Sequence, residues 1–327
     1  MRRYTSSAST QEKRIKYQNT ECGINIPFFH NVLCNSPSGL EARAKRSPST
    51  ATTYYRRLLE LCKHYNYDPH DLHSLSNEEL TQAINEFIRD KSKTFANTLL
   101  SALKDWFKAN NWPFNAYVIL PKSTSKPYPV PDKKQVAKAI FYADLRTKVA
   151  ICFMAFSGLR PSVLAKEDGG DGLTVDDLVM NGPSDPVEVW VRTELSKIEW
   201  RYVTFFPSSL RPLLELYISR LEEESEHSRL FPVKRDSLTK QVRNALKLTG
   251  IKTSPYALRS YFRTRLAEAE ANNIVPRIYS EFWMGHTNMA IRYSFGKGVP
   301  PHELESMRER YRLVETFLVD EALRGLF

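Results

Sequence analysis

Five prolines, Pro113, Pro121, Pro127, Pro129 and Pro131, fall within residues 113–132, interleaved with Lys122, Lys126, Lys133 and Lys134. Proline lacks the amide hydrogen and clashes with the preceding helical turn, so no helix crosses this stretch. The chain must fold in two parts joined by a semi-extended connector. Its 327 residues, 42% of them hydrophobic, are enough to give each part a core. The expected division is a basic arm at 1–46, a helical domain at 47–113, the Pro/Lys-rich linker at 114–132 and a second domain at 133–327.

The arm has few periodic apolar positions and ends in Arg43-Ala44-Lys45-Arg46-Ser47-Pro48. From Ser49 the pattern changes. Tyr54, Leu58, Leu59, Leu61 and Cys62 recur at helical spacing. Ser76-Asn77-Glu78-Glu79 forms a capping box ahead of Leu80, Ile84, Phe87 and Ile88, and a third helix runs from Thr94 to Asn110. The polar faces of this bundle hold Arg56, Arg57, Lys63, Lys91, Lys93, Lys104 and Lys108, a composition suited either to a nucleic-acid backbone or simply to water.

Beyond the linker, helices are expected over Lys134–Ala143 and Leu145–Ser157, the latter so apolar from Val149 to Phe156 that it must be buried. Val187–Arg192 and Arg201–Pro207 are β-rich and alternating, with Lys197 at or near the tip between them. The remainder reads as helices: 210–224, 237–248, 257–271, 275–284, a short one around 287–293, and 301–317. The fold class is therefore mainly α with a small antiparallel β-sheet.

A formal charge of +10 favours a polyanionic partner, because cationic surface releases counterions on binding nucleic acid. Cys22, Cys34, Cys62 and Cys152 lack the paired spacing of a zinc site and fit a reduced, intracellular protein. No apolar run reaches the roughly 20 residues that span a bilayer, and the start lacks a secretory apolar core. The chain contains no phosphate loop, no dinucleotide fingerprint and no metal-ligand cluster; Asp-Gly-Gly-Asp-Gly at 168–172 reads as a turn, without the spacing of a calcium loop. No cofactor and no metal is expected.

The chemistry-bearing residues cluster elsewhere. Ser254-Pro255-Tyr256-Ala257-Leu258-Arg259 is followed by Trp283-Met284-Gly285-His286 and Tyr293, with Ser157-Gly158-Leu159-Arg160-Pro161 upstream. Arginine forks onto phosphate oxygens, histidine moves a proton near neutral pH, and the tyrosine phenol can attack phosphorus. In order and type, Arg160, Lys197, Arg259, His286 and Tyr293 resemble the tyrosine recombinase (phage integrase) family, whose catalytic domains present Arg, Lys, His-x-x-Arg, Gly-His and a nucleophilic Tyr. Three departures stand out: Tyr256 occupies the usual His position, Val163 the usual Glu position, and His286 and Tyr293 are seven apart against a commoner nine or so. The first and last of these, Tyr256 and the compact C-terminal motif, look more like integrases of archaeal mobile elements than like the common bacterial enzymes.

The resemblance implies a helical core-binding domain plus an integrase-like catalytic domain, and DNA cleavage and rejoining through a 3′-phosphotyrosyl intermediate. Arg160 and Arg259 would hold the nonbridging oxygens, Lys197 would be the general acid, with Lys166 a weaker rival, and His286 would donate to a phosphate oxygen or accept the tyrosine proton. Tyr256 would donate one hydrogen bond, since a free phenol ionises only near pH ~10 and is a poor acceptor at neutral pH; the alternative is that it packs in the core. Tyr293 is the leading nucleophile and Tyr311 its rival, ahead of Tyr279. The implied partners are double-stranded DNA and, as a homo-tetramer on two DNA sites, further copies of the chain, with the segment after Tyr293 docking on a neighbouring protomer. Two other activities fit the same residues: type IB topoisomerase-like relaxation, and catalytically degenerate DNA binding.

Overall fold

The structure, a computed structural model, describes residues 48–122, 128–166, 169–224, 229–296 and 298–324, so the basic arm lies outside the described residues. Two compact units divide between Lys126 and Pro127.

In the first unit, α1 (Pro48–Tyr65), α2 (Asn77–Ile88) and α3 (Lys93–Ala109) enclose Tyr55, Leu58, Leu61, Ile84, Leu99, Leu103, Trp106 and Phe107. The capping box forms as the sequence requires: the Ser76 hydroxyl accepts from the Glu79 amide at 3.2 Å, and the Glu79 carboxylate accepts from the Ser76 amide at 2.8 Å. The basic side chains point outward, and Arg57 also lies 4.2 Å over the Phe95 ring. The expected linker is not free along its first half. Asn85 on α2 accepts from the Ile119 amide at 2.8 Å and donates to the Tyr117 carbonyl at 2.9 Å, while Phe114, Ala116 and Val118 pack on the core. An extended chain without internal hydrogen bonds has found them on a neighbouring helix.

The second unit begins with α4 (Lys133–Tyr142), α5 (Leu145–Phe156) and the single turn α6 (Pro161–Leu164). A three-stranded antiparallel sheet follows in the order β1 (Leu178–Val179), β2 (Val187–Val191), β3 (Tyr202–Phe206), with Val187 opposite Phe206 and Val191 opposite Tyr202. Then come α7 (Arg211–Glu224), α8 (Arg235–Leu248), α9 (Tyr256–Ala271), α10 (Arg277–Trp283), α11 (Met289–Phe295), α12 (Pro301–Leu318) and α13 (Glu321–Arg324).

Helix α5 is the central element, with Val149 to Phe156 fully buried. Both faces of β3 are covered, because successive strand residues point to opposite sides: Phe206 meets Phe153 of α5 at 4.8 Å, and Phe205 meets Trp283 of α10 and Tyr311 of α12 at 5.7 and 5.3 Å. The strands therefore bury residues on both faces.

Helix α12 is built into the second unit. Met307, Tyr311, Val314 and Leu318 are buried within the same unit, and α12 packs on α9 and α5. Three polar anchors reinforce it: Arg308 pairs with buried Glu188, Arg312 with Asp185, and the Glu315 carboxylate accepts from the Ser208 amide at 2.7 Å. Helix α12 thereby contributes its apolar face to the core of its own unit.

Candidate active site

Arg259 sits in the first turn of α9 and is 7% exposed. Its guanidinium donates through Nη1 to the Gly158 carbonyl and through Nη2 to the Met284 carbonyl, and Nη2 lies 3.2 Å from His286 Nε2. One side chain thus joins the ends of α5 and α10, which is why three motifs converge although the first lies about a hundred residues upstream of the other two. Arg160 caps α6 just after Gly158 and adds its positive charge to the same place. Burial first, and then Arg160, push the Arg259 guanidinium down to about 10, so it remains charged at neutral pH at an electrostatic cost. Among the described residues no carboxylate forms an ion pair with either arginine.

Two glycines make this convergence possible. Helix α10 ends with Gly285 in the left-handed region at φ +58, its amide donating to the Phe282 carbonyl at 2.8 Å and the His286 amide to the Glu281 carbonyl at 3.0 Å. This cap fixes His286 relative to the helix end. A Cβ on Gly285 would stand 2.6 Å from Tyr202 Cζ. Gly158, at φ +65, is equally constrained, since a Cβ there would meet the Phe262 ring at 2.3 Å. Gly285→Ala is therefore expected to cost more than Gly250→Ala, where φ is +84 but nothing lies within 4 Å. The second substitution carries only the backbone strain, about 1–2 kcal/mol, and the first adds the overlap. Chemical denaturation of both variants tests this, and equal losses would refute it.

His286 does not share a helix with Tyr293. It lies in the connection between α10 and α11, and α11 starts at Met289, where the Asn288 side chain accepts from the Ile291 amide at 2.9 Å. His286 Nδ1 is 2.7 Å from Glu281 Oε2, and Glu281 Oε1 is 3.5 Å from Arg263 Nη2. Neither Glu281 nor Arg263 was singled out in the sequence, though Glu281, five residues before His286, is placed by the helix that the cap terminates.

Tyr256 is 53% exposed at the start of α9, so it does not pack in the core. It borders an open depression with Arg259, Ser260, Arg263, Thr264 and Met284. Lys197 is exposed in the ten-residue connection between β2 and β3, which is no tight hairpin but contains a single 3-10 turn at Thr193–Leu195. Lys166 instead donates to the Glu194 carbonyl of that connection at 3.3 Å.

The tyrosines separate sharply. Tyr293 is 84% exposed on α11. Tyr311 is fully buried between Phe205 and Trp283, its hydroxyl donating to the Phe156 carbonyl at 2.7 Å, and burial raises its phenol well above the ordinary value. Tyr279 donates to Glu303 at 2.5 Å, and burial together with that carboxylate raises it too. Val163 is fully buried in α6 and takes no part in the polar cluster. Arg160, Arg259 and His286 are thus brought together. Lys197 and Tyr293 lie on flanking elements, linked where Arg292 stands 5.9 Å over the Trp200 ring.

A helical unit followed by a mainly helical unit with a three-stranded antiparallel sheet is the fold of the tyrosine recombinases. Residues 38–112 match the phage integrase N-terminal SAM-like domain. The XerH site-specific recombinase bound to difH substrate in a pre-cleavage complex is 15% identical, with 85% of this chain and 92% of that chain covered at a TM-score of 0.55. The XerH post-cleavage complex with palindromic difH substrate gives 14% identity, 84% coverage of both chains and a TM-score of 0.53. A lambda integrase tetramer bound to a Holliday junction gives 16% identity, 78% and 74% coverage and a TM-score of 0.53. No curated protein matches the chain in sequence. Among the described residues, no helix is long and apolar enough to cross a membrane.

Proposed function

We propose that this protein is a site-specific DNA recombinase of the tyrosine type, an integrase that cuts and rejoins double-stranded DNA through a 3′-phosphotyrosyl intermediate. The observation that carries this reading is the pair Arg160 and Arg259, both without a carboxylate partner among the described residues, with Arg160 adding its charge beside buried Arg259 and Arg259 in contact with His286. Such a pair is electrostatically incomplete until an anion with two free oxygens lies between the guanidinium groups.

The scissile phosphate supplies that anion. Tyr293 Oη attacks phosphorus, its proton passes to a base, and the P–O5′ bond breaks. Lys197 gives a proton to the departing 5′-oxygen, a task suited to an exposed lysine on a connection long enough to reach it. Arg160 and Arg259 meet the charge that grows on the nonbridging oxygens, and Tyr256 adds a hydrogen bond from the rim. The phosphotyrosyl bond conserves the energy of the phosphodiester, so the 5′-hydroxyl of a partner strand can reverse the step without a nucleotide cofactor. Recombination joins two duplexes, and a homo-tetramer on two sites accounts for it; the likeness to lambda integrase, solved as a tetramer on a Holliday junction, supports that assembly. DNA as the partner places the protein inside a cell, and integrases of this kind belong to mobile elements.

With arginines meeting the charge, cleavage is expected to proceed in excess EDTA. The test incubates the full chain with a pool of singly nicked duplexes of randomised sequence, which lose a short fragment on cleavage and trap the covalent adduct. A band retained on a denaturing gel supports the reading, and sequencing its DNA yields the target site. Absence of an adduct, or one that forms only with added Mg²⁺, would overturn it. Strand exchange between two recovered sites then separates recombination from relaxation of one.

A further inference from the structure

We propose that Glu281 is a positioning residue that makes His286 the base for the Tyr293 proton, an inference that rests on the recombinase reading. A neutral imidazole has one N–H and one lone pair, and its partners decide which nitrogen carries which. His286 Nδ1 faces a carboxylate oxygen at 2.7 Å, and a carboxylate only accepts. His286 Nε2 faces an arginine nitrogen at 3.2 Å, and a guanidinium only donates. Both contacts are satisfied together by one tautomer of the neutral ring, with the proton on Nδ1 and the lone pair on Nε2.

That assignment decides between two roles. A neutral ring with a lone pair at Nε2 cannot donate to a phosphate oxygen from that nitrogen, but it can take a proton there. Phosphate oxygens are stronger acceptors of an arginine N–H than a neutral imidazole is, so a scissile phosphate draws the Arg259 Nη2 hydrogen away and frees Nε2. The Tyr293 proton then moves from Oη to Nε2 as the Oη–P bond forms and the P–O5′ bond breaks. The Glu281 carboxylate faces the positive charge the ring acquires, as a carboxylate does in a Ser-His-Asp triad. Arg263 holds the other carboxylate oxygen from α9, and is itself held by Glu270 at 2.8 Å. The need for such a base follows from Tyr256, since a phenol stands where the resemblance implies an imidazole.

The structural half is tested without DNA. Long-range proton–nitrogen NMR of the full chain, with His286→Ala to assign the signals and at a pH where the imidazoles are neutral, should show the proton of His286 on Nδ1. A proton on Nε2 would overturn the proposal, and this holds whatever the protein does to DNA. The chemical half uses single-turnover adduct formation on the trapped duplex. Glu281→Gln keeps an acceptor for Nδ1–H but loses the charge, and should slow the reaction about tenfold. Glu281→Ala loses both and should slow it about 100-fold, within the ~10²–10⁴ that a positioned base supplies. In a His286→Ala background neither change should slow it further, while DNA affinity stays within about twofold throughout. Full activity of Glu281→Ala, or losses that multiply with His286→Ala, would overturn the proposal and leave the recombinase reading intact. A wild-type chain that forms no adduct would sink that reading instead.

Discussion

Replacing Tyr293 by phenylalanine is expected to abolish the covalent protein–DNA adduct, with no band above background on a denaturing gel, while folding and duplex affinity stay unchanged. The substitution removes one oxygen from a side chain that is 84% exposed and contributes little to any core. Nothing else in the proposed mechanism can replace it, because without a nucleophile the arginines and the general acid have no reaction to accelerate. Tyr311→Phe makes the opposite pattern. It deletes the hydroxyl that donates to the Phe156 carbonyl, a buried hydrogen bond whose loss should cost about 1–3 kcal/mol of stability, yet it should still form the adduct. Peptide mapping of the wild-type adduct is expected to place the nucleotide on the segment containing Tyr293. A nucleotide on Tyr311 would mean that α12 leaves the core before cleavage, and would refute the assignment.

The contrast between these two tyrosines marks the limit of what the sequence reveals. Both follow basic residues on helices, and the spacing from His286 favours Tyr293 without matching the family's usual interval. What separates them is tertiary: Phe205, Trp283 and Phe156 surround one and not the other, and those partners come from β3, α10 and α5. The helices themselves were legible, since α5 declares its burial by composition and α2 its start by a capping box. Periodicity reports which face of an element is apolar, but not which other element will cover it. For the same reason the sequence shows α12 as a helix without its partners, which the structure supplies as the core face around Tyr311 and the anchors at Glu188, Asp185 and Ser208.

The site was legible to a similar depth. Arg160 and His286 stand in short motifs whose glycines signal special backbone, and both glycines, Gly158 and Gly285, do adopt positive φ. Glu281 carries no such signal, because an acidic residue on an amphipathic helix has no local feature to set it apart from a solvated one. It acquires meaning only when the cap at Gly285 folds His286 back onto the helix that bears it.

Removal of either arginine should have the next largest effect. Arg160→Ala is expected to lower the single-turnover rate of adduct formation about 10²–10³-fold, about 3–4 kcal/mol, with duplex affinity nearly unchanged. The separation follows from where each interaction acts. Ground-state affinity is spread over many phosphate contacts, of which this is one, whereas the guanidinium at the scissile phosphate meets charge that exists only as the reaction proceeds. Arg259 requires a gentler substitution, because its guanidinium also satisfies the Gly158 and Met284 carbonyls between two helix ends. Arg259→Lys keeps the charge but cannot reach two carbonyls and a phosphate together, since an ammonium lacks the planar fork. Its rate should fall at least as far as that of Arg160→Ala, and its stability should fall as well, which Arg160 at the partly exposed mouth of the site should not show. Near-normal cleavage by Arg160→Ala, measured beside an unchanged binding isotherm, would remove the arginine pair from the mechanism and with it the observation on which the functional reading stands.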